Sequence, residues 1–453
     1  MNLATRRWLY LTFILSFFII TPLVIIYANG YQLNFSNRIL IKTGTMALET
    51  SPAGATISIN GQQQKTIGDR LRFLNRYQTT PAKITNLLPG TYNIALSLDG
   101  YWPWQKQLVI QPGQTTFAED IVLFKKDQAN LIEETSQAQI IPSPNTEIMP
   151  LKSAAGLSVY YLNREITGPG NLVATSSIDN ITWSSDQKKV LINNVLYNLA
   201  NNAEPINLEA FIGQHDGKLV FGRYNQTIIY IKENQLLEYN LSNGTVSIIY
   251  QLPSDQKEKI IDVQYQANQI FISLFGLGGS SISILDERTG KIVETLPTPE
   301  ALALTIHNIT INYIALLNSK ANKLYLLNRS DRLVKTISLA GFLNGVWVAK
   351  NQLLYWNANE IYLFDAANNQ KRLLTRISQP ITSVVWHPSK NYIVYATTHQ
   401  VNSLELDERD RHNTITLLTT EKITGLAINP TGDSLYVSGT INQVDGLFRL
   451  ALN

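Results

Sequence analysis

The stretch ITSVVWHPSKNYIVYATT, residues 381–398, contains the pattern that decides the fold. An apolar, strand-like run is followed by a short turn containing Pro, Ser and Asn, and then by a second apolar run. Related units recur, less clearly, from about residue 137 to the C-terminus; examples are ITWSSD at 181–186 and LAINPTGD at 426–433. Repetition of one strand–turn–strand unit over this length indicates a repeat architecture.

Each unit continues with a third strand-like run that ends in Asn or Asp. The side chain of such a residue accepts hydrogen bonds from nearby backbone N–H groups, which closes the following turn. Successive positions of this kind lie 35 to 46 residues apart, the spacing of propeller blades. They are Asn163, Asn198, Asn240, Asp286, Asn328, Asp365, Asp407 and Asn453.

These repeats predict a β-propeller over residues 137–453. Four short strands cannot bury both of their faces alone, whereas blades stacked radially bury one another and a closed ring hides their edges. The eight third strands predict eight blades, with seven as the alternative if the first unit only completes the last. The last unit ends on its third strand, so we expect its fourth to come from residues 131–135. The region resembles WD-repeat-like propellers, although it lacks their Trp-Asp dipeptide.

An uncharged apolar run, WLYLTFILSFFIITPLVIIYA at residues 8–28, is long enough to cross a hydrocarbon core of about 30 Å as a helix. Arg6 and Arg7 precede it directly, while the nearest charge after it is Arg38. This asymmetry predicts that residues 1–7 are cytoplasmic and that the bulk of the chain is extracytoplasmic. We therefore predict an uncleaved, single-pass signal anchor in the cell membrane.

Three alternatives to this anchor stay open. A signal peptide could be cleaved after Ala28, although the run is longer than a usual signal core. Arg6 and Arg7 could serve twin-arginine export, although two arginines beside so apolar a segment are typical of topology determinants. The run could also be the buried helix of a soluble protein. Residues 29–44, which follow, are predicted to form a short polar connector.

From residue 45 to residue 124 the pattern changes to the period of two that is typical of short strands. Asn60-Gly61 is a strong hairpin signal because both turn positions tolerate positive φ. TYNIALSLDGY, at 91–101, is an alternating strand closed by Asp99-Gly100. Short strands with regular turns over about 80 residues predict a small β-sandwich.

This stretch resembles a PEGA domain. The motif that names the family appears as Pro52-Ala53-Gly54-Ala55, with Ala53 in place of the usual Glu. The segment 67–78 departs from the family as an apparent insertion. The resemblance implies a surface-displayed, often membrane-tethered and non-catalytic β module. Further landmarks match in order: Asn60-Gly61, Thr80-Pro81, Leu88-Pro89-Gly90-Thr91-Tyr92 and Gly100-Tyr101.

Composition excludes several classes of function. The chain has 453 residues, which predicts more than one domain. Its net charge of +3 is spread along the chain without a basic stripe, so nucleic-acid binding gains no support. The absence of cysteine rules out disulfides, thiolate catalysis and cysteine metal sites. Between the two predicted domains, the polar residues 125–136 are expected to form a linker.

No catalytic, cofactor or metal site is predicted. The acidic run at 407–410, Asp-Glu-Arg-Asp, lacks the glycine of a calcium loop and is interpreted as a solvated blade turn. GLGGSSIS at 276–283 is interpreted as a flexible hairpin loop and not as a phosphate cradle. The histidines show no metal-ligand spacing, although a propeller could still gather distant ones at its axis. They are His215, His307, His387, His399 and His412.

Tryptophans supply the one candidate for ligand contact. Trp102 and Trp104 lie two residues apart on a predicted strand and share one face. They predict an aromatic platform for sugar rings or a partner surface, with a covered hydrophobic patch as the alternative. Trp183, Trp347 and Trp386 fall in or near first strands of blades and are interpreted as packing between blades.

Together these features predict an all-β, envelope-anchored binding or scaffold protein of a bacterial cell surface. Its transmembrane helix, PEGA-like sandwich and propeller would act through contacts with other surface proteins or cell-wall polymer, without a covalent step or a cofactor. The alternative is an extracytoplasmic hydrolase in which carboxylates from separate blades converge at the central channel. Signal reception through a membrane partner is a third hypothesis.

Overall fold

The computed structural model describes all residues except 1–2, 35–38, 66–76, 144–146, 163–169, 172–179, 200–203, 254–256, 299–301 and 331–336. The described residues form a long N-terminal helix, a hairpin, a two-sheet sandwich and a succession of four-stranded sheets. The predicted insertion at 67–78 falls almost entirely outside them. After the first helix the described residues are therefore predominantly β-strands, in agreement with the predicted fold class.

Helix α1 (Leu3–Ala28) opens the chain. It is apolar along its length, contains Pro22, and exposes its side chains. Among the described helices it is the one long and apolar enough to cross a membrane, with a mean hydropathy of 2.5 within the span Thr5–Ala28. None of that span is buried against the rest of the protein, so a soluble core helix does not describe it.

The predicted connector at 29–44 contains ordered structure. Strands β1 (Tyr31–Asn34) and β2 (Ile39–Lys42) pair as an antiparallel hairpin. Thr43 then folds back, because its backbone N–H and its Oγ1 both donate to Gly30 O at 2.7 Å. The predicted connector therefore contains a hairpin and closes on itself next to the helix.

Seven strands form the predicted sandwich. They are β3 (Gly44–Ser51), β4 (Thr56–Ile59), β5 (Gln62–Gln63), β6 (Ala82–Leu87), β7 (Gly90–Ser97), β8 (Trp104–Ile110) and β9 (Thr115–Val122). One sheet has the order β6-β3-β9 and the other β5-β4-β7-β8. Alternate side chains meet between the sheets, among them Met46 and Leu48 of β3 and Ile94 and Leu96 of β7. Asn86 Nδ2 donates to Tyr27 Oη at 3.1 Å, which ties the sandwich to α1.

The described residues after the sandwich form eight four-stranded antiparallel sheets, here called blades one to eight in chain order. Blades one to four contain β11 (Gln139–Ile140), β12 (Ile148–Ser153), β13 (Gly156–Tyr161), β14 (Gly170–Asn171); β15 (Ile181–Trp183), β16 (Lys189–Ile192), β17 (Val195–Asn198), β18 (Ile206–Asn207); β19 (Asp216–Phe221), β20 (Thr227–Lys232), β21 (Gln235–Asn240), β22 (Val246–Gln251); and β23 (Glu258–Gln266), β24 (Gln269–Gly276), β25 (Gly279–Asp286), β26 (Ile292–Pro297). Helix α2 (Glu209–Ile212) lies between blades two and three, and a 3-10 turn (Arg223–Asn225) lies within blade three.

Blades five to eight complete the chain. They contain β27 (Thr305–Ile309), β28 (Tyr313–Asn318), β29 (Lys323–Asn328), β30 (Ile337–Ala340); β31 (Asn344–Ala349), β32 (Gln352–Trp356), β33 (Glu360–Asp365), β34 (Gln370–Arg376); β35 (Ile381–Trp386), β36 (Tyr392–Thr397), β37 (Gln400–Glu405), β38 (Thr414–Thr419); and β39 (Lys422–Ile428), β40 (Ser434–Ile441), β41 (Val444–Ala451) with β10 (Asn130–Glu134). Strand β10 pairs with β41 as the fourth strand of blade eight. The prediction that the linker supplies this strand is confirmed.

Buried apolar side chains lie between neighbouring blades. Eight clusters each join one blade to the next, and the last joins blade eight to blade one. In that last cluster Tyr436 and Leu447 pack with Met149 and Tyr160. Stacked blades therefore share their cores around the ring, as the propeller prediction requires. The tryptophans interpreted as packing between blades lie in three of these clusters: Trp183, Trp347 and Trp386.

Five of the Asn and Asp residues that end the third strands make the predicted turn contact. Asp286 Oδ1 accepts hydrogen bonds from Arg288 N at 3.1 Å and Thr289 N at 2.9 Å, which closes the turn into the fourth strand. Asn163 lies outside the described residues. The same contact with the backbone two residues on occurs in other blades, at Asn240, Asn328, Asp365 and Asp407.

The antiparallel order places the turns of each blade on two opposite faces. The turns from first to second strand and from third to fourth strand lie on one side, which we call the docked face. The turns from second to third strand and the connections between blades lie on the other side, which we call the open face. Residues 387–391 of blade seven are on the docked face, and residues 357–359 of blade six are on the open face.

Gly446 of β41 offers a test of the ring closure. A Cβ at this position would lie 2.3 Å from Glu133 O and 3.0 Å from Leu131 Cδ1, both in β10. We expect Gly446→Ala to displace β10 and to cost about 1–3 kcal/mol, the usual range for overpacking, measured as a lower midpoint of thermal unfolding. Gly278→Ala is the control, because nothing lies within 4 Å of its Cβ position. Equal midpoints for the two variants would contradict closure by β10.

Candidate functional site: the junction of sandwich and propeller

Strand β8 carries a charge on its buried face. Trp104, Lys106, Leu108 and Ile110 are buried, and the residues between them are exposed. This is the period of two of a half-buried strand, with lysine at one of the inward positions. A buried ammonium group needs an acidic partner and acceptors for its protons. Both come from blade seven of the propeller.

Lys106 binds the end of β37. Its side chain is 0% exposed, and its Nζ lies 2.9 Å from Glu405 Oε2 and 3.5 Å from Asp407 Oδ2. The ammonium group also donates to Asp407 O at 2.9 Å. Trp104 Nε1 donates to the other carboxylate oxygen of Glu405 at 3.0 Å. Separation of the two domains would therefore leave a cation and an anion without these partners.

The turn that follows β37 contacts both edge strands of the sandwich. Gln107 N of β8 donates to Asp410 Oδ2 at 2.9 Å, and Arg409 Nη1 donates to Phe117 O of β9 at 2.6 Å. Because β8 and β9 are the last strands of their sheets, the turn occupies main-chain groups at open sheet edges. Residues 407–410 form a blade turn in which Glu408, Arg409 and Asp410 are exposed, as predicted, and this turn also docks on the sandwich.

Arg409 and Lys106 also lower the pKa of the Asp407 carboxyl group in this turn. Arg409 donates to both carboxylate oxygens of Asp407, with its Nε 3.0 Å from each. Burial of Asp407 raises the pKa of this carboxyl group, but the hydrogen bonds from Arg409 and the charges of Lys106 and Arg409 outweigh burial. The pKa of Asp407 is consequently lower than usual, and the group stays ionised at neutral pH.

An apolar contact forms the other half of the junction. Phe124 lies in the cluster between blades seven and eight, where its ring meets those of Tyr392 and His387 edge to face at 5.3 and 5.9 Å. Lys125 N donates to Leu452 O at 2.8 Å. The chain thus leaves the sandwich already packed against the docked face.

The two candidate ligand-contact residues lie in this junction. Trp104 is 2% exposed, so its indole ring is not available to a ligand. Trp102 is partly buried against the cluster of blades seven and eight, with Lys126 Nζ 5.1 Å from its ring. The structure therefore places them in different cores and does not bring them together as an exposed aromatic platform. The alternative of a covered hydrophobic patch describes Trp104.

The cavities near blades five to seven include a groove beside the junction and a pocket on the open face. A groove of about 600 Å³ beside the junction is lined by Phe117 and Asp120 of the sandwich and by Trp386 and Lys390 of blade seven, among others. A pocket of about 580 Å³ opens on the open face between blades five and six. Its floor includes the turn at 357–359. The first belongs to the junction, whereas the second is the one that faces away from the sandwich.

Glu360 anchors the open-face pocket. Its carboxylate accepts hydrogen bonds from Tyr362 Oη at 2.6 Å, Asn357 Nδ2 at 2.8 Å and Arg376 Nε at 2.7 Å. These bonds, in that order, lower the pKa of Glu360 to about 2. The carboxylate therefore stays ionised at neutral pH, and its three hydrogen bonds fix the wall of the pocket.

Asp262, in the first strand of blade four, is a carboxylate that links neighbouring blades. Asp262 of β23 is buried; its Oδ2 accepts from Lys218 Nζ of β19 at 3.2 Å and from Ile306 N of β27 at 2.8 Å. Its Oδ1 accepts from Val263 N at 2.9 Å. Asp262 thus ties the first strands of three blades together and is not free to act as a catalytic acid or base.

The histidines do not assemble a metal site within the described residues. That part of the chain contains no group of three or more His, Asp or Glu residues suited to a metal ion. His387 is buried, with its Nε2 3.1 Å from Gly432 O of blade eight and its Nδ1 2.8 Å from Ser389 Oγ. This ring therefore links two blades.

Sequence reasoning missed Lys106, Glu405 and Asp410 as functional residues. The sequence does contain a signal for Lys106. In WQKQLVI every second residue faces the core, and the lysine occupies one of these inward positions together with tryptophan, leucine and isoleucine. A charge in a buried register indicates a paired anion. The partner itself had no signal, since Glu405 lies 299 positions further along the chain (405 − 106).

Comparison with known proteins agrees with the sandwich assignment. Residues 43–121 match the PEGA domain family. Among solved structures the chain is similar to the C-terminal WD40 domain of Sif2, at 13% identity over 72% of this chain and 98% of that one, with a TM-score of 0.48. The propeller assignment rests on the sheets and shared cores described above. No curated protein matches the chain in sequence. The protein therefore combines a stretch that matches the PEGA domain with a propeller of four-stranded blades behind an apolar helix.

Lys106→Met tests the buried pair. Removing one partner leaves Glu405 buried without its cation, which typically costs about 3–5 kcal/mol. We expect a lower unfolding midpoint and faster hydrogen exchange in β8 and at 405–411. Lys106→Met combined with Glu405→Gln should recover most of the loss, because glutamine can still accept from Trp104. Lys259→Met, at an exposed lysine, is the control. No recovery in the double variant would contradict the paired-charge account.

Acidification tests the role of Asp407. A carboxyl group whose pKa is lowered by folding stabilises the native state above its unfolded pKa, and this contribution is lost as pH falls through the folded pKa. The difference in unfolding midpoint between the wild type and Asp407→Asn should therefore shrink between about pH 5 and about pH 3. A difference that stays constant over this interval would show that the ionised carboxylate does not stabilise the junction.

Proposed function

We propose that this protein is a membrane-anchored, extracytoplasmic scaffold that binds other surface proteins or cell-wall polymer through the open face of its propeller. No covalent step or cofactor is part of the proposal. One observation carries it: the sandwich occupies the docked face at blades seven and eight, so the contacts of the junction leave the open face to a partner. The pocket of about 580 Å³ lies on that open face.

The proposed arrangement follows from the order of the domains. Helix α1 would span the membrane, with residues 1–7 in the cytoplasm, and the sandwich would hold the propeller outside, on a bacterial cell envelope. The PEGA match and the apolar helix support this localisation. The first strands support binding over hydrolysis, because the channel carboxylate of Asp262 is held by three donors.

The absence of cysteine makes topology directly testable. We expect Ser378→Cys, on the open face, to react with a membrane-impermeant maleimide in intact cells. Thr5→Cys, which precedes the apolar run, should react only after the membrane is permeabilised. Labelling of Thr5→Cys in intact cells would contradict the proposed orientation. Loss of the N-terminal segment from the mature protein would instead show that the anchor is cleaved.

Two exposed aliphatic residues test which face binds. Leu343 lies on the open face and is 52% exposed, whereas Ile311 lies in a turn of the docked face and is 78% exposed. A photoreactive amino acid at position 343 of the full chain should cross-link to protein or to cell-wall polymer in intact cells. The same group at position 311 should cross-link much less. Equal cross-linking at both positions, or none at position 343, would overturn binding through the open face.

A further inference from the structure

The outer strand of blade three is a six-residue uncharged strand with exposed aliphatic side chains. Strand β22, with the sequence VSIIYQ, contains no charged residue, and Val246 and Ile248 are 48% and 58% exposed. Three of the described outer strands carry charge: β10 has two glutamates, β34 has a lysine and two arginines, and β26 has one glutamate. The uncharged β14 and β18 have two residues each, and the uncharged β30 has four. The exposed positions of the uncharged β38 are threonines. Charge on an edge strand prevents pairing with a second strand, and β22 lacks this protection.

The pairing of β22 with β21 shows which main-chain groups point outward. Asn240 N donates to Thr245 O at 2.9 Å, and Tyr239, Glu238 and Leu237 then pair with the next three residues. Hydrogen-bonded and non-hydrogen-bonded pairs alternate in an antiparallel ladder. Residue 247 is therefore bonded to β21, while Val246 and Ile248 direct their N–H and C=O groups away from the blade. The same two residues carry the exposed aliphatic side chains.

These features are self-complementary. We propose that β22 pairs antiparallel with β22 of a second copy of this chain, about a two-fold axis at Ser247. Val246 of each copy then lies opposite Ile248 of the other, and each of these pairs exchanges two main-chain hydrogen bonds. The absence of charge in β22 removes the like-charge repulsion that a symmetric contact would otherwise bring together.

The position of β22 in the ring leaves it accessible for this contact. Blade three is four blades away from blade seven in both directions around the eight described sheets, so the sandwich does not cover it. Next to it, Phe211 of α2 is 57% exposed and stacks on Tyr239 with ring centroids 5.8 Å apart. Tyr239 pairs with Val246, so the rings of Phe211 and Tyr239 extend the apolar surface formed by Val246 and Ile248.

Cysteine trapping in the full chain tests this pairing. Because the chain contains no cysteine, any disulfide formed by Ser247→Cys joins two copies. Position 247 would face itself across the axis in a non-hydrogen-bonded pair, where Cα atoms lie about 4.5 Å apart, within disulfide range. We expect Ser247→Cys in membranes to form disulfide-linked dimers on mild oxidation. Ser242→Cys, an exposed position in the turn of the same blade, is the matched control and should form several-fold less.

Ile248→Pro, added to Ser247→Cys, separates strand pairing from collision. Proline removes the outward N–H of position 248 but no hydrogen bond to β21, so blade three stays folded. We expect the dimer band to be lost while the thermal midpoint is kept. Equal cross-linking at positions 242 and 247, no cross-linking at 247, or a dimer that survives Ile248→Pro would each overturn the proposal. None of these outcomes depends on whether the open face binds a partner.

Discussion

The buried ion pair between Lys106 and Glu405 is the contact on which the arrangement of the domains depends. Lys106 belongs to the sandwich and Glu405 to the propeller, and both side chains are almost completely excluded from water. Each of these buried charges is tolerated only because the opposite charge lies beside it. Two hydrogen bonds add to the pair: the indole of Trp104 donates to Glu405, and the ammonium group of Lys106 donates to Asp407 O. Two domains that could each fold around their own cores are in this way held in one orientation.

The geometry of the blades explains why this contact matters for function. Antiparallel strands place the turns of every blade on two faces, and the junction with the sandwich uses one of them. The turn at 407–411 reaches the edge strands β8 and β9, while Phe124 enters the core between blades seven and eight. Helix α1 is joined to the same sandwich through the hydrogen bond from Asn86 to Tyr27. Helix α1 and the propeller are therefore connected through ordered contacts with the sandwich. These contacts involve neither the open face nor β22, the outer strand of blade three.

Features that depend on local chemistry could be predicted from the sequence. The apolar run gave the helix, the Asn or Asp at the end of each third strand predicted its turn, and the alternation in residues 45–124 predicted the sandwich. The missing fourth strand of blade eight was also predictable, because the last unit stops at its third strand and residues 131–135 were the expected source of the fourth. In all these cases the cause lies within a few residues of its effect.

Features that depend on distant contacts could not be predicted in the same way. The run at 407–410 has the composition of a solvated turn, and only its position opposite β8 and β9 makes it a docking element. Trp102 and Trp104 have the spacing of an exposed platform, but Trp104 is buried in the sandwich core and donates to Glu405 of the propeller. The hairpin of β1 and β2 was missed because its strands are short and polar residues surround them. For the open face, the sequence predicts its turns but not the carboxylate network around Glu360.

The most direct test of the account is a distance measurement between the two domains. Spin labels on Glu49→Cys in β3 and Ser242→Cys in blade three, both exposed positions in a chain without native cysteine, would report their separation by pulsed electron paramagnetic resonance. A fixed junction predicts one narrow distance distribution in membranes, which broadens when Lys106→Met is introduced. A broad or multiple distribution in the unaltered protein would contradict the claim that the buried ion pair holds the propeller in one orientation.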